Sequence, residues 1–155
     1  MSRPILLTLA GLAALFALLT AGFQLVGLPA NPFRDQTLAG KQIYDANCAS
    51  CHGTKLEGQR NWRQPLASGR LPAPPQDENG HTWHHADAVI FDVIKSGLAK
   101  YAGDTYESDM PVFGGILTDD QINEVIDYIK STWPEKQRDY QRLITLQSLE
   151  SGNGG

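Results

Sequence analysis

The apolar positions change rhythm along the chain. From Ile5 to Leu28 they form a nearly continuous run, ILLTLAGLAALFALLTAGFQLVGL, and no charged residue lies between Arg3 and Arg34. As a helix, a run of 24 residues would extend ~36 Å at ~1.5 Å per residue, which covers a hydrocarbon core of ~30 Å. A cleavable signal peptide has a shorter apolar core and closes on small residues. Here apolar residues continue past Thr20-Ala21-Gly22, and Leu28-Pro29-Ala30 puts a bulky side chain where a small one is wanted. An uncleaved, single-pass transmembrane anchor over residues 1–30 is expected, followed by a short linker at 31–37 stiffened by Pro32. Export of the remainder follows from either reading. Arg3 and the terminal amine point to a cytoplasmic N-terminus.

Beyond the linker the rhythm becomes helical and intermittent. The pattern predicts one helix from about Leu38 to Cys48. A second, from about Ala86 to Ser96, has Val89, Ile90, Val93 and Ile94 as its stripe and Gly97 as its stop. A third has the strongest local grammar. Thr118 and Gln121 form a capping box, Asp119 and Asp120 sit in the positive first turn, and Leu117 and Ile122 can staple the entry. Ile122, Val125, Ile126 and Ile129 then recur at helical spacing, and Pro134 follows Trp133. Residues 53–84 contain no clear long element, which is unusual for a compact domain. The tail, 135–155, begins polar. Tyr140, Leu143, Ile144 and Leu146 can share one side of a short helix before a disordered SGNGG end. The expected class is all-α.

Composition narrows the function. The formal net charge is −4 with a pI near 5.5, which argues against a nucleic-acid partner. The chain has only two cysteines, and both fall in CASCH, residues 48–52. A structural zinc site needs four ligands, and a thioredoxin-like C-x-x-C does not call for the following His. A disulfide across so tight a loop gains almost no loop entropy, and two unrelated core cysteines leave the spacing unexplained. C-x-x-C-H as a c-type haem attachment motif uses every residue. Cys48 and Cys51 would add to the two vinyl groups as thioethers and His52 would ligate the iron. No second such motif occurs, so one covalently bound haem c is expected. Its apolar surface would be covered by Leu56, Trp62, Leu66 and Leu71, which turns the long loop into a pocket wall.

A second axial ligand is needed for a six-coordinate carrier. Met110 is the sole methionine besides the initiator, and it stands on a loop before Pro111, Gly114 and Gly115. A lone methionine more often fills a core, but this setting favours ligation. The rivals are His81, His84 and His85, whose plainer reading is capping of the following helix. His81 and His85, at i, i+4, could also form a small metal site.

These residues together carry a resemblance. GKQIYDANCASCHG, GHTWHHADAVIFDVIKSG and MPVFGGILTDDQINEVIDYIKSTWP resemble a monohaem class I cytochrome c of the bacterial membrane-anchored kind, over roughly Leu38 to Trp133. The resemblance implies the class I cytochrome c fold in a domain at 38–134. It also implies a crossing of the first and last helices through Gly40, Tyr44 and Tyr128. The carbonyl that holds the His52 ring N–H falls on either Pro72 or Pro74. Function is then electron transfer with His52 and Met110 as axial ligands, not enzymatic catalysis. The haem domain would sit on the periplasmic side of the inner membrane and serve membrane-bound redox proteins. Of 13 Lys and Arg only Arg3 precedes the apolar run, against 17 Asp and Glu, so a partner with a basic face suits it. A fixed subunit of a respiratory or photosynthetic complex, a gas or redox sensor, and a peroxidase-like enzyme with Met110 off the iron are the alternatives.

Overall fold

The computed structural model describes residues 32–103 and 105–152. The apolar run expected to form the anchor lies outside them, and no described helix is long and apolar enough to cross a membrane. The described chain is all helix and loop: α1 Pro32–Asn47, α2 Ala49–His52, a 3₁₀ turn Thr82–His84, α3 Asp87–Ser96, α4 Ala99–Ala102, α5 Asp119–Thr132 and α6 Glu135–Gly152.

The first helix starts at Pro32, six residues before the expected Leu38. Proline suits a first helical position, where its fixed φ fits and its missing N–H has no intrahelical partner to lose. The helix thus takes in residues 32–37, which were expected to form the short linker. At the other end Cys48 breaks the run, and α2 resumes for one turn to carry Cys51 and His52.

The core is built where α1 crosses α5. Gly40 makes the close approach possible, since a Cβ there would sit 2.0 Å from the Glu124 carbonyl oxygen and 3.0 Å from Tyr128 Cβ. One turn on, Tyr44 and Tyr128 pack with ring centroids 5.4 Å apart, as the resemblance implied. Tyr44 is fully buried and donates its hydroxyl to the Gly53 carbonyl at 2.9 Å. Burial, followed by nearby acidic groups with Cys48 foremost, pushes its pKa well above the ordinary value. The predicted stripe of α5 is buried in full: Ile122, Val125, Ile126 and Ile129. The capping box is also present, with Gln121 N–H donating to Thr118 Oγ1 at 3.2 Å and Thr118 N–H to Gln121 Oε1 at 2.9 Å. From α3, Ile90 and Ile94 join this core, with Leu56 and Phe113 from the loops.

The tail departs from expectation in two ways. It is one helix of 18 residues, and its inner side is polar. Gln141 is buried; its amide Nε2 donates to Asp87 Oδ1 at 2.7 Å and lies within 3.0 Å of Thr145 Oγ1 and 3.2 Å of the His85 carbonyl, which share its second hydrogen. Thr145 in turn accepts the Asp87 backbone N–H at 3.1 Å, and Lys130 pairs with Asp87 at 2.7 Å. The start of α3 is thus satisfied from α6 and not by the preceding histidines. Tyr140, Leu143, Leu146 and Leu149 remain exposed. The apolar spacing was a true helix signal, but a buried hydrogen-bond hub outweighed it in choosing the docked side.

Gly40→Ala tests the crossing. Alanine gains about 1 kcal/mol in helix propensity, but overpacking against rigid backbone costs about 1–3 kcal/mol or more. With 2.0 Å to a carbonyl the clash wins, and urea denaturation should show a net loss of about 2 kcal/mol.

Candidate functional site

Cys48, Cys51 and His52 are delivered by the break between α1 and α2. Cys48 N–H donates to the Tyr44 carbonyl, and His52 N–H to the Cys48 carbonyl at 2.9 Å, so the pentapeptide is one helical turn. Both thiols are free; Cys51 is exposed, and Cys48 is half-buried against the core. Burial, then the adjacent Cys51, pushes the Cys48 thiol up to about 11, so it stays protonated at neutral pH.

His52 is held from the long loop. The loop doubles back so that residues 56–59 lie beside 73–77. Gln59 N–H donates to the Ala73 carbonyl at 2.8 Å, Ala73 N–H to Gln59 Oε1 at 2.8 Å, and Gln76 N–H to the Leu56 carbonyl at 2.8 Å. Gly58, at φ +68°, lets the two strands of this loop touch; a Cβ there would meet Pro75 N at 2.4 Å. The pairing brings the Pro74 carbonyl to 2.8 Å from His52 Nδ1, which decides between the two prolines. A carbonyl has no proton to give, so Nδ1 carries one and donates it. Nε2 keeps its lone pair. Burial drives the His52 pKa below its ordinary value, with the Pro74 bond acting against it. The result is a neutral imidazole of fixed tautomer, the form in which histidine binds metals.

Met110 arrives from the opposite end of the sequence. Its loop is pinned to the end of α3 by Phe113 N–H to the Ile94 carbonyl at 3.1 Å and Gly114 N–H to the Lys95 carbonyl at 2.9 Å. Met110 N–H donates to Ser108 Oγ at 3.0 Å, and its side chain packs against the same core as Cys48. Arg70 adds a clamp across the loops, donating to Glu107 at 2.9 Å and Asp109 at 2.6 Å. Sequence reasoning missed this clamp, because the opposite charges stand 37 residues apart.

The three remaining histidines form no metal cluster. Among the described residues no group of three or more His, Cys, Asp or Glu could hold an ion. They belong to an aromatic patch. His81 stacks on Trp62 at 5.5 Å and meets His85 edge-on at 5.4 Å; His84 stacks on Trp83 at 3.7 Å, and Tyr140 closes on both. Burial first, then the charge of neighbouring histidines, lowers the pKa of His81 and His85. Of the expected pocket wall, Leu56 is buried in the core, Trp62 is half-buried, and Leu66 and Leu71 are exposed.

A helix ending in C-x-x-C-H, a neutral histidine held by a proline carbonyl and a methionine loop opposite in sequence define a class I c-type cytochrome. The Cytochrome c family model matches residues 38–133, and the chain belongs to that family. Its function is accordingly electron transfer, and membership implies a covalently bound haem c. The chain is 32% identical over 97 residues to the cbb3-type cytochrome c oxidase subunit CcoP of Azospirillum sp. (strain B510), covering 59% of this chain and 29% of that one. It is 29% identical over 100 residues to the gluconate 2-dehydrogenase cytochrome c subunit of Pantoea cypripedii, covering 64% and 21%. Cytochrome c-555 of Prosthecochloris aestuarii is 30% identical over 100 residues, 58% of this chain and 81% of that protein. The chain thus spans under a third of the length of the two subunits. No solved structure matches.

Proposed function

We propose that this chain is a monohaem electron carrier with His52 and Met110 as axial ligands, tethered to the inner membrane through its N-terminal segment. The observation that carries the reading is the His52 ring, held through Nδ1 by the Pro74 carbonyl at 2.8 Å, one turn beyond Cys48 at the end of α1. The donor set fits a haem: two free thiols three residues apart on one helical turn, an imidazole nitrogen with its lone pair, and a thioether on a loop packed to the same core. Exposed Leu66, Leu71, Val112 and Ile116 provide apolar surface suited to a macrocycle. When bound, the haem supplies a one-electron couple, and a methionine ligand favours its reduced form.

The chain's residues then have separate tasks. Cys48 and Cys51 hold the group to the helix end. Pro74 fixes the His52 ring and supports its basicity. The core of Tyr44, Leu56 and Phe113 keeps water from one side. The Arg70 clamp and the bonds to Ile94 and Lys95 hold the Met110 loop shut. With His52 and Met110 both on the iron, no axial position would be left open for a substrate, so the reading is of a carrier and not an enzyme.

Relatives named as subunits of an oxidase and of a dehydrogenase support a second reading, a subunit fixed within a larger membrane complex. The outward leucines of α6 favour it, since a helix docked by its polar side leaves Leu143, Leu146 and Leu149 exposed.

Two experiments bear on these readings. Ferric protein should show the weak sulfur-to-iron band at the red edge of its spectrum. Met110→Ala should abolish the band, lower the potential and admit carbon monoxide to the ferrous form; survival of the band would reject Met110. For the tether, haem should remain with salt-washed membranes on a protein with an intact N-terminal segment. Migration in mild detergent as a small species supports the carrier and as a large one the fixed subunit. A soluble periplasmic haem protein starting near Phe23 would refute the anchor alone.

A further inference from the structure

The outward side of α6 carries a pattern that its docking on α3 does not explain. Gln141 and Thr145 face the start of α3. On the opposite side Lys136, Tyr140, Leu143, Leu146 and Glu150 form a stripe roughly 120° wide at 3.6 residues per turn, and all five are exposed. Read from Lys136, the intervals along the stripe are four, three, three and four residues; read from Glu150, they are the same. Leu143 stands at the midpoint. The stripe is symmetric about it, with apolar groups inside and one charge at each end, and the two end charges are opposite.

Charge and shape together select what covers this face. Among the described residues neither Lys136 nor Glu150 forms an ion pair, whereas Asp139 and Arg142 of the same helix answer each other at 3.1 Å. A second α6 turned end for end places Glu150 against Lys136 at both ends of the contact and Leu143 against Leu143. A second α6 running in the same direction sets lysine against lysine and glutamate against glutamate, which is unfavourable. The shape agrees with the reversed arrangement. A cavity of about 280 Å³ lies beside the first half of α6, lined by Trp83, Lys136, Gln137, Tyr140 and Leu143. In the reversed copy the residues that face Tyr140 and Gln137 are Leu146 and Leu149, both exposed. The first half of the helix offers an apolar recess, and the second half offers the leucines that fill it. A patch complementary to itself in this way makes a closed two-fold contact.

We propose that α6 is a homodimer interface, in which two copies of this chain pair antiparallel about Leu143 and Lys136–Glu150 ion pairs close both ends. The pairing does not rest on the reading of the haem ligands. It competes with a fixed place in a larger complex, which would put another protein on the same leucines.

A water-soluble carbodiimide, which joins amines to carboxylates, tests the register in native membranes. Peptide mapping of the purified full-length protein should find Lys136 joined to Glu150. The two residues stand about 21 Å apart along one helix, so the link forms only between copies. Native mass spectrometry of the untreated protein in mild detergent, over a concentration series, should show a dimer. Leu143→Glu sets two carboxylates together at the centre and should weaken the dimer at least about tenfold. Its circular dichroism and haem spectrum should not change, because Leu143 is exposed. Lys136→Glu and Glu150→Lys should each weaken the dimer alone and restore it when mixed, since the mixture again opposes unlike charges at both ends. Should Leu143→Glu fail to fold, that mixture decides, and no recovery on mixing contradicts the pairing. A monomer at every concentration, a dimer indifferent to Leu143→Glu, the absence of the Lys136–Glu150 link, or α6 joined to a different polypeptide would each overturn the proposal.

Discussion

The structure hangs on the close crossing of α1 and α5. Gly40 lets the two backbones meet at a distance no side chain would allow, and Tyr44 and Tyr128 lock the turn above it. That contact fixes both ends of the site. Along α1 it leads to Cys48, Cys51 and His52. Along α5 it leads to Trp133, whose buried indole reaches out to the Gln76 carbonyl. Gln76 belongs to the paired loop that carries Pro74, and Pro74 returns to the His52 ring. Helix packing and ligand orientation are thus one closed circuit of contacts.

The loop segments follow from the same logic. A stretch from 53 to 81 without a regular helix or strand is costly in backbone entropy. It persists because its polar groups are paired within the loop, at Leu56, Gln59 and Gln76, and because it folds over an apolar centre. Leu56 is buried at φ +63°, a left-handed conformation held by Gln76 N–H and Asp77 N–H, both donating to its carbonyl. On the other side, Met110 is held by local backbone bonds and by Arg70, so the two walls have different strengths. The wall beside His52 is built largely from part-buried hydrogen bonds; the methionine wall relies in part on exposed ion pairs, which salt screens.

Much of this was legible in the sequence, for local reasons. The capping box, the α5 stripe and C-x-x-C-H depend on residues within a few positions of one another. The Gly40–Tyr44–Tyr128 crossing was legible only through family resemblance. What could not be read depends on residues brought together from afar. Pro74 and Pro72 were equivalent in sequence; only the pairing of 56–59 with 73–77 selects Pro74. The buried side of α6 was misread because Gln141 and Thr145 look like surface residues until the Asp87 amide and carboxylate are placed beside them. Gln76 and Arg70 match no motif, and their roles exist only in three dimensions.

The central claim is that Cys48, Cys51 and His52 hold one haem at the end of α1. Intact mass of the purified native protein after acid–acetone extraction tests it most directly. The account predicts a polypeptide heavier by one haem, with the added mass confined to the peptide that contains CASCH. A polypeptide at its bare mass, with haem recovered in the organic phase, would contradict it.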